Sequence, residues 1–505
     1  MRPSSRLVSL LTFLVVSAGL LLHNRTLFRV RIWEVGDAAA NSLLVDDAKH
    51  LDLLVGHYSR VGFNHPGPGV LYVQAAGEYV LHDLLHVAAG PFNGQVMAIL
   101  LLEAAVLAAV VGVLHSWVGR LEGTHAWVVA PAVLATVLVW YLRHPYPLTS
   151  TWMPLVVVAP FLLLLVSAAS VAAGHARHLW LLAASTGLLV HAHVEFALFG
   201  PGLCLWALVA WAGTERIGPR AMLRRDPRAW WTSLAIALVF AFPIALNTVV
   251  NWPGEVPKYA TYSSEGDRPT PSVAQVLHYA RQFWANDSSY AKYVPALLVV
   301  AALVAAVAAP RRLRRPLLLL TVTAVLAEAL FLVYARVGID DLGQNYVGLF
   351  SWSVPLALLL VVVVGLAAHL ARVALLGAVA AVSSAVVALA TFTQPGFDLR
   401  PEGLAALPEA VRAVEQAAGP DVAVLDIGPG IPPFVDGTGL LIALERDDRP
   451  VCVAQPELSV QVTAERVCTP AELDRGVRIQ LRERPPGAPP GQVPGGLGEI
   501  TVLPR

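Results

Sequence analysis

The densest cluster of polar residues in this chain follows its first apolar segment. It begins with Gly36-Asp37-Ala38 and ends with Asn64-His65-Pro66-Gly67-Pro68. A carboxylate such as Asp37 can take a proton from a hydroxyl group as a general base. The guanidinium of Arg60 can bind phosphate oxygens through two parallel hydrogen bonds, and His65 can bind them when it is protonated. These residue types therefore indicate proton transfer beside a bound anion.

A helix is expected to position Asp37. The residues that follow it contain few Gly or Pro, and they predict a helix with Asp37 at its N-terminal end. Asn41 lies one turn further along the same face, so it is a candidate to line the same site. Asp37 could instead cap the helix by accepting a backbone hydrogen bond. The run that contains His65 could likewise be only a structured turn.

Four further residues of this segment could contact a ligand, and each also has a simpler interpretation. Asp46 and Asp47 could supply a second carboxylate, since glycoside hydrolysis uses two carboxylates that flank the bond. They are also typical of a solvated helix face. His57 and Tyr58 could line a site, or they could anchor the chain at the membrane surface, where amphipathic rings are enriched.

Membrane helices must hold these residues in place. The 505 residues are 56% hydrophobic and only 14% charged, whereas soluble domains are roughly 25% charged. Apolar runs of about 20 residues, the length that crosses a bilayer, predict an α-helical polytopic membrane protein with about eleven transmembrane helices. The formal net charge is zero, so nothing in the charge balance predicts a nucleic-acid partner. The predicted spans are residues 6–22, 95–118, 125–141, 151–173, 178–190, 196–212, 230–250, 293–309, 316–334, 348–367 and 373–392.

Arginines cluster in two of the predicted short loops and orient the chain. Lys and Arg in short loops stay on the cytoplasmic side, so the N-terminus is predicted to be cytoplasmic. An odd number of spans then exports the tail. We therefore expect a multi-pass plasma-membrane protein whose long first loop, residues 24–93, is extracytoplasmic. The orienting residues are Arg216, Arg220, Arg224, Arg225 and Arg228 in one loop and Arg311, Arg312, Arg314 and Arg315 in the other.

The tail has the composition of a soluble domain. Residues 1–395 are predicted to form the transmembrane domain, and residues 396–505 a small extracytoplasmic α/β domain. Cys452 and Cys468 could pair if the tail is exported, because disulfides persist in oxidising compartments. The predicted elements are helices at 404–418 and 437–446 and strands at 422–427, 451–454 and 477–481.

Two other groups of polar residues could line a site. His191, His193 and Glu195 interrupt an apolar stretch at the predicted outer end of a helix, where ionisable residues usually face a cavity. They could contact a sugar or hold a divalent metal, although helical spacing would join only His191 to Glu195. Gln344 and Asn345 lie in a predicted outer loop and suit sugar hydroxyls, or they are simply solvated.

The segment around Asp37 resembles the multi-spanning, GT-C type glycosyltransferases that use polyprenyl-phosphate sugars, especially their protein-mannosyltransferase and aminoarabinose-transferase branch. The resemblance rests on an acidic residue soon after the first helix, a helical stretch, and a basic residue before a Pro-rich step. Ala38 stands where that branch commonly has a second acid, and His65 where it has a Lys. The run from Tyr58-Ser59-Arg60 to Pro68 looks closest to uncharacterised actinobacterial membrane proteins.

The resemblance implies a hexosyl- or pentosyltransferase that moves a sugar from a polyprenyl-phosphate donor to an extracytoplasmic glycan, lipid or protein of the cell envelope. It makes Asp37 the catalytic carboxylate and places Asn64 and His65 near the donor phosphate, which Arg60 could also bind. Because the second acid is missing, the resemblance implies no certain cofactor. Binding of a divalent metal stays an open alternative. The alternative class is a transporter or flippase for a lipid-linked or small solute, although such proteins often show repeats and broken helices near the midplane.

Overall fold

The computed structural model describes residues 4–119, 126–264, 270–285, 291–484 and 496–503. The chain packs into two compact units. The helical unit comprises Met1–Asn24 and Ile99–Leu399, and the α/β unit comprises Arg25–Ala98 and Arg400–Arg505. The α/β unit therefore combines the polar segment after the first helix with the tail.

Every apolar segment predicted to span the membrane forms a helix. Within the described ranges, eight helices are long and apolar enough to cross a membrane, and two shorter apolar helices accompany them. The polytopic α-helical class is therefore confirmed, while the number of crossings and the orientation stay predictions. Residue 125, where one predicted span begins, lies outside the described residues. The helices are Ser5–His23, Pro91–Val118, Val129–Leu142, Met153–Ala172, Leu179–Ala192, Phe196–Glu215, Pro227–Val250, Val294–Ala308, Arg311–Val337, Ser353–Leu370 and Ala374–Thr391, with shorter helices at Pro219–Arg225, Val256–Ser264 and Val273–Arg281.

The long helices differ in how far they are buried. Met153–Ala172 is buried along its whole apolar length, whereas Pro227–Val250 exposes Val239 to 70% and Phe242 to 65%. Water-soluble proteins rarely expose apolar surface so continuously. Lipid tails are as apolar as these side chains, so a face of this kind is suited to contact with the bilayer.

A four-stranded sheet forms the centre of the tail. Strand β1 (Ala423–Ile427) pairs in parallel with β2 (Val451–Val453) and with β3 (Val477–Arg482), and β4 (Glu499–Val502) pairs antiparallel with β3. The order is β2-β1-β3-β4. The α/β class predicted for the tail is therefore confirmed, and β4 is a strand that the sequence pattern did not predict. The helices of the α/β unit are Gly36–Lys49, Gly69–Gly77 continued by a π-helix at Glu78–Leu84, Leu407–Ala418, Ile431–Arg446, Ser459–Val462 and Pro470–Arg475.

One hydrophobic core joins the two parts of the α/β unit. Ala39 and Leu43 of Gly36–Lys49, here called the site helix, lie in the same buried cluster as Leu440 and Leu441 of Ile431–Arg446, here called the tail helix. All four side chains are fully buried, and burial of a leucine side chain contributes about 1.5–3 kcal/mol. The site helix is therefore packed against the tail, while the domain boundary after residue 395 stays a prediction.

A disulfide bond joins Cys452 to Cys468 in the tail, with their Cα atoms 5.0 Å apart. The sequence left this pairing open. The bond ties β2 to the segment before helix Pro470–Arg475. The third cysteine, Cys204, is partly buried in the helical unit and has a free thiol.

We expect the denatured, unreduced protein to react with maleimide at one thiol and the reduced protein at three, because only Cys204 is unpaired. The count is read from the mass shift of protein taken from intact membranes. The Cys452→Ser/Cys468→Ser variant serves as control, since it should show one thiol in both states. Loss of a bond that closes a loop of about 15 residues should lower the free energy of unfolding by about 3 kcal/mol. Three reactive thiols without reductant would contradict the pairing.

Candidate functional site

The site helix holds Asp37 in its first turn. Its N-cap is Val35, which makes no side-chain cap, so Asp37 is not the capping residue. Gly36 enters the helix with φ of +58°, in the left-handed region that glycine adopts without steric cost. The partial positive charge of a helix N-terminus stabilises a carboxylate in the first turn. Asp37 therefore lies, half-buried, where a negative charge is favourable.

Residues 56–65 fold back on themselves as a hairpin. The N–H of Ser59 donates to the carbonyl of Phe63 at 2.7 Å, and the N–H of His65 donates to the carbonyl of His57 at 2.9 Å. Gly62, with φ of +85°, lies in the turn between the arms. The Asn64-His65 pair is thus part of a hydrogen-bonded arm, which fixes its position relative to His57 and Tyr58.

Tyr58 connects the hairpin to the site helix. Its hydroxyl donates a hydrogen bond to Oδ1 of Asp37. Next to it on the hairpin, the rings of His57 and His65 lie 4.1 Å apart, and Phe63 meets His65 edge-on with ring centroids 5.8 Å apart. The fold therefore brings Asp37, the predicted carboxylate, together with the hairpin that carries Arg60 and His65.

The two cations predicted near a phosphate differ in exposure. Arg60 is exposed beside the turn of the hairpin, whereas the side chain of His65 is only 2% exposed. Asn64 is half-buried, and its side-chain amide donates to the carbonyl of Gly56 at 3.3 Å. Of the two cations, Arg60 is the one that a ligand can approach directly.

Asp46 and Asp47 lie near the other end of the site helix. Ten residues separate Asp47 from Asp37, which corresponds to about 15 Å along a helix. The carboxyl groups of glycoside hydrolases are at most roughly 9.5 Å apart, so this pair does not fit that mechanism. Asp47 accepts hydrogen bonds from Arg466 at 3.2 and 3.3 Å. Burial raises the pKa of Asp47, and Arg466 partly offsets the rise.

Asn41 shares the face of the site helix with Asp37, as predicted from their spacing. Its side chain is 4% exposed. Within the part of the chain that the structure describes, its amide oxygen has no hydrogen-bond partner. Buried amides are normally paired. Asn41 therefore has a free acceptor one turn from the carboxylate.

The helical unit contains a small pocket, with room for about one water molecule. His193, Glu195 and Tyr346 supply its polar lining, and Val157 and Phe350 belong to its apolar wall. Nδ1 of His193 lies against the carboxylate of Glu195. The pocket thus brings together a carboxylate, an imidazole and aromatic rings, in a space suited to a water molecule.

His191 points away from this pair. Its Nε2 atom donates to the carbonyl of Phe240 at 2.6 Å. The reason is local, because His193 adopts an extended conformation that ends the helix and breaks the spacing by which His191 would meet Glu195. Within the described ranges, no group of three or more His, Cys, Asp and Glu side chains is arranged to hold a metal ion.

In the loop that contains Gln344 and Asn345, the next residue, Tyr346, contributes to the pocket. Gln344 donates to Asp341 at 3.1 Å, and Asn345 begins the short helix Asn345–Trp352. Tyr346 is the residue that lines the pocket. No sequence pattern singled out Tyr346, since one aromatic residue beside a polar pair is common in loops near a membrane surface.

The helical bundle and the α/β tail share their fold with two solved structures of ArnT, a likeness that spans nearly the whole chain. ArnT from Cupriavidus metallidurans in the apo state matches with a TM-score of 0.56 at 14% identity, covering 98% of this chain and 97% of that one. ArnT from the same organism bound to undecaprenyl phosphate matches with a TM-score of 0.54 at 16% identity and the same two coverages, 98% and 97%. No family model and no curated protein sequence matches the chain. The family resemblance predicted from the sequence is therefore confirmed at the level of the fold, while the roles of the residues around Asp37 stay predictions.

Proposed function

We propose that this protein is an integral membrane glycosyltransferase that moves a sugar from a polyprenyl-phosphate donor to an extracytoplasmic glycan, lipid or protein. The observation that carries the proposal is the hydrogen bond from Tyr58 to Asp37, which sets a carboxylate at a helix N-terminus against a hairpin that exposes Arg60. The fold supports it, since the ArnT structure that it matches was solved with undecaprenyl phosphate bound.

Each of these residues has a role in the proposed reaction. Asp37 takes the proton of the acceptor hydroxyl while the acceptor oxygen forms its bond to the anomeric carbon. The bond between that carbon and the donor phosphate breaks, and polyprenyl phosphate leaves with the electron pair. Arg60 stabilises the negative charge that develops on the leaving phosphate, while His65 lies buried in the same hairpin. Asn41 is available to accept a hydrogen bond from a sugar or acceptor hydroxyl.

The same proposal specifies on which side of the plasma membrane the N-terminus and the tail lie. The N-terminus is cytoplasmic and the tail lies outside the plasma membrane, where an acceptor of the cell envelope is found. The disulfide between Cys452 and Cys468 supports this orientation, because such bonds persist in oxidising compartments.

Sugar transfer from a panel of radiolabelled polyprenyl-phosphate hexoses and pentoses tests the proposal. Membranes that contain the full-length protein should transfer label to envelope material, and membranes without the protein should not. Free polyprenyl phosphate should inhibit, since it is the leaving group. Addition of EDTA in parallel tests dependence on a divalent metal. If no donor in the panel gives transfer by folded protein, the proposal fails, and vesicle flux of the same compounds then tests a transporter or flippase.

Substitution of Arg60 by Ala should lower kcat/KM for the donor by about 10- to 100-fold, because hydrogen bonds to charged groups contribute about 1.5–3 kcal/mol. Arg60→Lys should keep part of the activity, since it retains the charge but loses the bidentate geometry. Initial rates over a range of donor concentrations measure both. Arg412→Ala on the exposed face of Leu407–Ala418 is the matched control. Equal donor kinetics in Arg60→Ala and wild type would remove Arg60 from the phosphate site.

A further inference from the structure

The tail helix contacts the N-terminal end of the site helix. The hydroxyl of Thr438 donates to the carbonyl of Phe434 in its own helix at 2.8 Å and also lies 3.3 Å from the carbonyl of Gly36, although Thr438 and Gly36 are far apart in sequence. Thr438 is fully buried. One residue further along, a Cβ atom on Gly439 would lie 2.7 Å from the side chain of Val35, so only glycine allows the helices this close. The backbone just before Asp37 is therefore held from the tail.

The tail helix also contacts the residue that holds the carboxylate. The ring of Phe434 meets the ring of Tyr58 edge-on, with centroids 6.2 Å apart and an interplanar angle of 65°. Edge-to-face pairs of this kind stabilise the contact beyond their buried area. Since Tyr58 donates to Asp37, a continuous series of contacts runs from Phe434 through Tyr58 to the carboxylate.

The tail helix is itself firmly placed. The buried carboxylate of Asp436 accepts hydrogen bonds from the N–H groups of Leu497 at 2.9 Å and Gly498 at 2.7 Å, just before β4. At its other end, Arg446 forms an ion pair with Glu34, three residues before Asp37. Side chains presented by such a helix are preorganised, because both of its ends are fixed.

We propose that Phe434 and Thr438 are positioning residues for Asp37, so that the tail is part of the catalytic apparatus. Thr438 is buried against the backbone from which Asp37 projects, and Phe434 fixes the ring whose hydroxyl orients the carboxylate. The inference rests on the proposed function of Asp37. A misplacement of about 1 Å at a reacting group can cost 100-fold in rate. A residue that contacts Tyr58, which in turn binds the carboxylate, is therefore sufficient to control turnover.

Kinetics of the full-length protein test the proposal. Phe434→Ala should lower kcat by about 10-fold or more with little change in KM for the donor, because the base is displaced while the donor site is kept. Phe434→Tyr keeps the ring and should restore most of the rate, and Thr438→Val should act like Phe434→Ala. The matched control is Leu473→Ala, which truncates an exposed apolar side chain elsewhere in the tail.

A double-mutant cycle separates positioning from general damage. Tyr58→Phe removes the hydroxyl that reaches Asp37, so the loss in Phe434→Ala/Tyr58→Phe should be smaller than the product of the two single losses. Multiplicative losses, or a Phe434→Ala variant with wild-type kcat, would overturn the proposal. A loss confined to KM would overturn it as well, since it would place Phe434 at the donor instead.

An activity-independent measurement keeps this inference distinct from the proposed function. Amide hydrogen exchange of residues 36–41 and 56–65 should be faster in Phe434→Ala and Thr438→Val than in wild type or Leu473→Ala. If wild-type membranes transfer no sugar from any donor, the proposed function fails, while faster exchange would still support control of the Asp37 segment by the tail. Unchanged exchange in both variants would overturn the inference whatever the reaction is.

Discussion

Asp37→Asn is expected to lower the rate of sugar transfer by about 100- to 10,000-fold, the range over which general bases contribute. The amide has the shape of the carboxylate and can still accept the hydrogen bond from Tyr58, so the site helix and the hairpin should keep their geometry. It cannot take the proton of an acceptor hydroxyl. The expected loss is therefore in kcat, with KM for the donor largely retained.

Initial rates at saturating donor, normalised to the amount of folded protein in the membrane, measure this effect. Asp52→Asn is the matched control, because it makes the same chemical change at an exposed residue of the same segment. Its rate should be close to that of wild type. An Asp37→Asn variant within about threefold of wild type would exclude Asp37 as the base, since general bases typically contribute about 100-fold or more.

Local patterns predicted most of the individual elements. Apolar runs long enough to cross a bilayer give a strong signal, and all of them are helices. The helix at Gly36–Lys49 and the strands β1 to β3 were predicted for the same reason, since periodicity, Gly and Pro act over a few residues. The pairing of Tyr58 with Asp37 was not predicted, because periodicity says nothing about which turn of a helix a later hairpin meets.

Contacts between distant parts of the chain account for what the sequence did not show. Arg446 and Glu34 are 412 positions apart, and each reads as an ordinary surface charge in its own segment. The pair formed by His193 and Glu195 was hidden by a local change, since an extended residue interrupts helical spacing at that point. Sequence reasoning therefore located the candidate carboxylate, and three-dimensional packing supplied its partners.

Arg446 lies in a buried network of charges within the α/β unit. It forms ion pairs with Glu34 and, at 3.3 Å, with Glu78. Both carboxylates are 3% exposed. Lys49 at 2.8 Å and the side-chain amide of Gln95 at 2.7 Å also bind Glu78. Burial alone would lower the pKa of Arg446, but Glu34 and Glu78 outweigh it and raise that pKa above its usual value.

Arg446→Met should lower the free energy of unfolding of the α/β unit by about 3–5 kcal/mol, because removing one partner of a buried ion pair leaves an uncompensated charge. Most of this cost should come from the uncompensated charge of Glu34, because Glu78 keeps its contacts with Lys49 and Gln95. For a unit of this size the midpoint of thermal unfolding should fall by roughly 6 to 20 °C. Thermal unfolding of the purified full-length protein measures it, with Arg412→Met on an exposed helix face as the control.

The variant Glu34→Gln/Arg446→Met distinguishes charge from packing. If the cost of Arg446→Met comes from the stranded carboxylate, neutralising Glu34 should restore much of the lost stability, because a buried pair replaced on both sides is often close to neutral. If the cost comes from the lost packing of the arginine side chain, the double variant should be no more stable than Arg446→Met. A stable Arg446→Met protein would contradict the buried network itself. Sugar transfer can be measured on the same variants. If Arg446→Met loses transfer and Glu34→Gln/Arg446→Met regains it together with part of the stability, this charge pair at the far end of the tail helix also keeps the segment before Asp37 in place.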